Sequence, residues 1–455
     1  MISNTNVLLI GATGFIGKVT LGMLLERMEV QKVYILIRPK VTSKRIDGAK
    51  IANIRERFQQ LKQNPCLQSK ACQKAFAEGR VIPIAGDLSK ERLGICKDDY
   101  ERLTMENSDT SSSHDSIDAV THIINLAADV GFDQTLLEAI ENNVDTALNV
   151  FALAKKCKFL INFVHCSTAY VAPTSAAERE VGNIKEELHE SSTCFSSYGD
   201  ADAIYTLIKK KGLTKLEEEK LLKSAARPSI VSVSLHYPAP GWTDSRTAVN
   251  GPVLLFAEGF LHTNIGNEGS LYDIIPCDYV ADCLINAVLA RCDVRKVKVI
   301  HITAGKENCV DNASFIETME DFWNPRKRKA FILRPFYRSN KLDLNKSISL
   351  DQKRLLRLKR ILVLTRKEHL ANKLEKIVPL LQKTADVHAP FQFYRYDFIS
   401  GQSIHDFEPT FNPVDYAHLI CQGIHYYLLR HSEDSPDNPK PKYRLSQHMK
   451  SRSRL

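Results

Sequence analysis

The chain has 455 residues, 44% of them apolar and 25% charged, with 62 Lys and Arg against 53 Asp and Glu for a formal net charge of +9. That length and apolar content bury more than one core and exclude a disordered or fibrous chain, while the excess of positive charge suits anionic partners such as nucleotide phosphates, coenzyme A or an acidic membrane surface. No apolar run approaches the roughly 20 residues that span a bilayer, no basic leader precedes the first apolar run, and the 11 cysteines include no Cys-x-x-Cys pair; a cytoplasmic chain with reduced thiols, no signal peptide, no transmembrane helix and no metal site is therefore expected.

In chain order, "NVLLI" (6–10) reads as a buried strand, "KVTLGMLLERM" (18–28) as a helix and "KVYILIR" (32–38) as a second buried strand. Apolar strands without alternation imply a parallel sheet covered on both faces. The link between the first strand and the helix, Gly11-Ala12-Thr13-Gly14-Phe15-Ile16-Gly17, has the spacing G-x-x-G-x-x-G. Glycines there allow a tight turn and let the backbone approach a pyrophosphate, whose charge sits on the helix N-terminus. Gly11, Thr13, Gly14, Phe15, Ile16 and Gly17 are therefore candidate dinucleotide contacts. At the end of the second strand, where an NAD enzyme places an acid on the ribose, the chain has Arg38, with Lys40 close behind. Cations there attract a 2′-phosphate, so NADPH is the expected cofactor.

Further units follow: "RVIPIAGDL" (80–88), "AVTHIINLAA" (119–128), a helical "LLEAIENNVDTALNVFALAKKC" (136–157) and a strand "FLINFVHCSTAYV" (159–171). Strands alternating with helices through residue 305 argue for an α/β fold, a doubly wound parallel sheet of Rossmann type. Residues 1–305 are read as the NADPH-binding domain with an interleaved substrate region, 306–430 as a smaller, mainly helical domain with basic runs such as "DQKRLLRLKRILVLTRK", and 431–455 as a polar, disordered tail.

The run "GATGFIGK" followed by "VYILIRPK", then "GDLSKERLGI", "NLAADVGFD", "HCSTAYV", "RPSIVSVSLHYPAPGW" and "IIPCDYVAD" in order, resembles the fatty acyl-CoA reductases of male sterility type, within the extended short-chain dehydrogenase/reductases. The resemblance covers residues 6 to about 305 and is looser over "FNPVDYAHLICQGIHYYLLR" (411–430). It implies NADPH-dependent reduction of a long-chain acyl-CoA to a fatty aldehyde or alcohol. It also implies that Asp87 and Leu88 reach the adenine edge and that Asn125, Ala127 and Ala128 line the pyrophosphate and nicotinamide ribose.

Reduction of a thioester needs a hydride at the carbonyl carbon and a donor to the developing oxyanion. Tyr205 and Lys209 have the spacing Tyr-x-x-x-Lys, which places both on one helix face, so that the ammonium lowers the phenol pKa and holds the ribose. The competing register, ending on Lys215, puts Lys211 where the phenol belongs and leaves 12 rather than 18 positions to Arg227. Thr168, with Ser167 as its alternative, supplies the hydroxyl that the resemblance assigns to catalysis. Ile208 stands where the resembled family has Thr or Ser, and the following "KKKG" crowds like charges; a catalytically impaired NADP(H)-binding scaffold therefore stays open, as does a reductase or epimerase acting on a nucleotide sugar or sterol. Leu254, Leu255, Phe256, Phe260 and Leu261 are candidates for an acyl tunnel or for plain core. The basic run from Arg326 to Lys367 suits coenzyme A phosphates or an anionic membrane; no nucleic-acid signature accompanies it.

Overall fold

The computed structural model describes residues 5–27, 29–41, 51–52, 54–105, 118–131, 136–171, 183–185, 224–261, 263–265, 270–290, 298–305, 308–323, 337–339, 344–369, 371–372, 374–375, 377, 379, 381, 397–399 and 411–430. The chain divides into two compact units: Met1–Pro173, Glu186–Pro228 and Cys277–Ile302 form the first, and Thr174–Lys185, Ser229–Pro276 and Thr303–Leu455 the second.

In the first unit, seven described strands make one parallel sheet: β1 (Thr5–Ile10), β2 (Val30–Ile37), β3 (Val81–Ala85), β4 (His122–Asn125), β5 (Asn162–Cys166), β6 (Ser224–Pro228) and β7 (Lys298–Ile302). Their order across the sheet is β3-β2-β1-β4-β5-β6-β7, the doubly wound arrangement in which the direction of winding reverses between β1 and β4. Every residue of β1 is buried, because helices cover both faces of the centre of such a sheet. Leu8, Ile10, Tyr34, Ile84, Ile123 and Phe163 share one cluster on one side. Helix α1 (Phe15–Glu26) buries Val19, Leu21, Leu24 and Leu25, and packs with helix α3 (Cys277–Leu289); helix α2 (Thr146–Lys156) adds Val150, Phe151 and Leu153 to the core.

The strands are shorter than the apolar runs suggest. β5 stops at Cys166, four residues into the segment "HCSTAYV" lies a 3-10 turn, Ala169–Val171, and Tyr170 leaves the strand with φ −89 and ψ 20. The Thr168 hydroxyl accepts from the Tyr170 N–H at 3.3 Å; a side-chain oxygen offering the backbone a local partner ends the ladder there. The crossover from β2 to β3 contains helices Ile54–Lys62 and Lys70–Ala77, which the polar sequence between the two strands did not advertise.

The second unit has its own core, in which Val253, Phe256, Phe315, Trp323, Tyr416 and Ile420 take part. Helix Pro413–Gly423 begins on Asn412, whose side chain accepts from Val414 and Asp415 N–H, with Pro at the first helical position, a strong start signal. It meets the turn at Gly241: a Cβ on Gly423 would lie 2.0 Å from the Gly241 carbonyl oxygen, and Tyr416 Oη donates to the Val233 carbonyl at 2.7 Å. Asp273, wholly buried, accepts from Ser229 Oγ at 2.5 Å and from Ala304 N–H at 2.7 Å. Burial raises its carboxyl pKa, and these hydrogen bonds act in the opposite direction.

Candidate active site

At the carboxyl edge of the sheet, β1 and β4 are neighbours, and the chain continues from them to opposite sides of the sheet, the switch point at which doubly wound folds bind their ligands. Two glycines shape it. Gly11 has φ +88, and a Cβ on it would come within 2.9 Å of the Leu126 carbonyl carbon and 3.0 Å of the Ala127 nitrogen; the first loop can lie this close to the second only without a side chain. A Cβ on Gly17 would sit 2.1 Å from the Gly11 carbonyl oxygen, so helix α1 rests directly on the turn. Gly14 N–H donates to the Gly11 carbonyl at 2.9 Å and closes that turn. Gly14 is exposed at the N-cap of α1, with no side-chain cap and no acid in the first turn. Thr13, Phe15 and Ile16 are half-buried beside it. The positive end of α1 thus carries neither a side-chain cap nor an acid, a helix start of the kind that suits an anion.

The facing wall is built from β4. Asn125 is buried; its Oδ1 accepts from Ala127 N–H at 3.1 Å, and its Nδ2 meets His165 Nδ1 at 3.2 Å. Burial pushes the His165 pKa down, which suits a neutral ring as partner of the amide. Leu126 N–H donates to the Ile10 carbonyl at 3.0 Å, which ties the two loops together. Ala127 is half-buried and Ala128 exposed. Asn143 clamps the next residues, accepting from Asp129 N–H at 2.7 Å and donating to its carbonyl at 3.0 Å. Asn143 lies in a π-helical stretch, Ile140–Asp145, inside a segment whose sequence reads as plain helix; no spacing signal marks it.

On the other side of β1, Asp87 follows β3, half-buried, and its Oδ1 accepts from the Ser89 N–H at 3.2 Å and hydroxyl at 2.9 Å. The Leu88 carbonyl accepts from Asn149 Nδ2 at 2.8 Å. Arg38 is exposed just past β2. Lys40 follows in a short hairpin, Lys40–Val41 with Ile51–Ala52. The structure adds a cation that the sequence reading passed over: Arg57, on helix Ile54–Lys62, hydrogen-bonds the Arg38 carbonyl. Burial, and next the charge of Arg38, push its guanidinium pKa down.

One strand further along the same edge, β5 ends at Cys166. Ser167 N–H donates to the Ala226 carbonyl at 2.8 Å, which continues the ladder to β6. Ser167 is half-buried and Thr168 exposed. Desolvation pushes the Cys166 thiol up to about 12, so the cysteine beside these hydroxyls is no thiolate nucleophile. Tyr205 and Lys209 lie outside the described residues. Leu254, Leu255, Phe256, Phe260 and Leu261 all belong to the second unit, divided between its two hydrophobic clusters. Among the described residues, no three His, Cys, Asp or Glu side chains gather as a metal site would require.

Comparison with known proteins agrees with this architecture. Among solved structures, the terminal R domain from the myxalamid PKS-NRPS biosynthetic pathway superposes with TM-score 0.61 at 17% identity over 93% of this chain and 91% of that one. The reductase domain of a non-ribosomal peptide synthetase from Mycobacterium tuberculosis does so with TM-score 0.56 at 15% identity over 94% and 92%. Among curated sequences, fatty acyl-CoA reductase 2 of Mus musculus is 28% identical over 67% of this chain and 59% of its own length. Fatty acyl-CoA reductase 2 of Homo sapiens is 25% identical over 97% of this chain and 87% of its own length. The chain spans about three fifths of the length of the mouse relative. The profile of the family described as male sterility protein, a nicotinamide-dinucleotide-binding domain, matches residues 9–284, from the end of β1 into helix α3, and the chain belongs to that family.

Proposed function

We propose that the chain is an NADPH-dependent reductase of long-chain fatty acyl thioesters, acyl-CoA first among them. The observation that carries the reading is the glycine turn at the switch point between β1 and β4, with an uncapped helix N-terminus beside it and the Ser167-Thr168 hydroxyls one strand away. The family and the names of its relatives supply the substrate class. The site fits a dinucleotide: Gly11 and Gly17 leave no Cβ in the turn, and the N–H groups of Phe15, Ile16 and Gly17 head a helix with no side-chain cap. Arg38 and Arg57, two guanidinium groups at the end of β2, favour a 2′-phosphate over a bare ribose hydroxyl.

When bound, NADPH supplies a hydride to the thioester carbon. The residues of the chain do the rest. Thr168 and Tyr205 donate to the oxygen as it gains charge, and this stabilisation grows toward the transition state. Lys209, four positions after Tyr205 in the sequence, keeps the phenol acidic enough to donate and binds the ribose hydroxyls. Tyr205 then takes back the hydroxyl proton as the carbon–sulfur bond of the hemithioacetal breaks, which gives the aldehyde and a thiolate that is protonated from solvent. With a second equivalent of reduced cofactor, the same hydroxyls would protonate the alkoxide formed from the aldehyde and give the alcohol.

A panel of palmitoyl-CoA, acetyl-CoA and nucleotide sugars, followed by NADPH absorbance and thiol release, tests the substrate class. Oxidation with palmitoyl-CoA is expected, with one thiol released per NADPH where the aldehyde is the product and per two where the alcohol is; oxidation with the sugars alone would assign the site to them. Tyr205→Phe is expected to lower kcat by two orders of magnitude or more, in the range of a lost general acid.

A further inference from the structure

Helix Leu344–Leu364 has two faces of different character. One is fixed in the second unit: Leu355 and Leu362 are buried against Leu255, Phe260 and Leu374, and Arg354 Nη2 donates to the carbonyls of Gly259 and Phe260 at 3.2 and 3.0 Å. The other stands in solvent. Leu356 is 47%, Ile361 55%, Val363 49% and Leu364 83% exposed, and Lys353, Arg357 and Arg360 are exposed among them. At about 3.6 residues per turn, Lys353, Arg357, Arg360 and Leu364 follow one line along the helix, with Leu356 and Val363 on one flank and Ile361 on the other. Arg366 and Lys367, also exposed, extend the charge past the helix end, and no acidic residue falls between Gln352 and Lys367.

Neither ordinary explanation accounts for this face. Bases that serve the helix macrodipole sit in the last turn, and the last turn here has none. A solvated basic face has no use for exposed aliphatic residues; a single one is commonplace, but four within the span 356–364 form a patch. We infer that this face docks on an anionic lipid bilayer, with the four aliphatic side chains at the headgroup boundary and Lys353, Arg357 and Arg360 spreading their charged ends onto lipid phosphates and carboxylates. Polynucleotides and free coenzyme A match the charge but offer no apolar phase for branched side chains. A bilayer offers both. The inference does not depend on the reaction proposed above, although a long-chain acyl thioester also partitions into bilayers.

The test is flotation of the full chain with vesicles of phosphatidylcholine mixed with phosphatidylserine, against vesicles of phosphatidylcholine alone. Binding is expected only where phosphatidylserine is present, and it should weaken as salt rises. The triple variant Lys353→Glu/Arg357→Glu/Arg360→Glu should lower the partition coefficient on the order of a hundredfold, since each base near an anionic surface contributes about fivefold. Leu364→Asp should lower it as well. Both variants alter exposed side chains, so circular dichroism and melting should match the wild type. No flotation, equal flotation on both vesicles, or full binding by the triple variant would overturn the inference. So would an unbound vesicle together with coenzyme A or acidic-protein binding that the triple variant abolishes, which would assign the face to that partner.

Discussion

The glycine loop is where single residues decide most. Because a Cβ on Gly17 would sit 2.1 Å from a backbone oxygen, Gly17→Val must push α1 off the turn. Fluorescence titration of that variant with NADPH should show no saturable binding, and a wild-type affinity would remove the loop from the cofactor site. Arg57 has a more selective effect. A charge-assisted contact contributes about 1.5–3 kcal/mol, so Arg57→Gln should raise KM for NADPH by at least about tenfold and leave KM for NADH unchanged. A parallel loss with both cofactors would mean that Arg57 only holds the Arg38 backbone. The glycine turn was legible because its signal is local, seven consecutive residues that leave a strand and open a helix. Arg57 was not, because its place beside Arg38 depends on how a helix nineteen residues later folds back. Thr168 was singled out by likeness; what the structure shows is that its hydroxyl ends β5 by accepting from Tyr170.

At the scale of elements, continuous apolar runs such as "NVLLI" announced the buried centre of a parallel sheet, and the strands formed there. Their ends were less legible. Hydrophobicity persists past Asn125 and Cys166, yet the side chains of Asn125 and Thr168 bond the backbone locally and turn it. The grouping of residues 229–276 with those beyond 303 was the least legible feature, since it depends on contacts such as Gly241 with Gly423 and Val233 with Tyr416, separated by some 180 positions. Gly423→Val tests that packing. A Cβ 2.0 Å from the Gly241 oxygen forces helix Pro413–Gly423 to move, at a cost of about 1–3 kcal/mol by the usual scale of overpacking. Urea unfolding should show the second unit melting earlier; an unchanged midpoint would mean that the helix shifts without loss.

For the whole molecule, the alternation of strands and helices carried the doubly wound fold and the likeness carried the family, while pH behaviour needed the structure. His122, buried at the start of β4, has its pKa pushed down to about 4 by desolvation. In the unfolded chain it titrates near 6.5, so between 6.5 and 4 the unfolded state binds a proton that the native state does not, and stability falls as pH falls. By pH 4 this one ring contributes a loss of roughly 3 kcal/mol. His122→Gln should therefore show a smaller drop in urea midpoint between pH 7 and pH 4.5 than the wild type; an equal drop would assign the acid lability to other groups. The central claim concerns hydride delivery to an acyl carbon. It is tested most directly by incubating the chain with NADPH deuterated at the nicotinamide C4 position and palmitoyl-CoA, then weighing the lipid products by mass spectrometry. Deuterium on the former thioester carbon of hexadecanal or hexadecanol is the predicted result. Oxidation of the cofactor with no deuterium in any acyl product, or no oxidation while the cofactor binds, would contradict it.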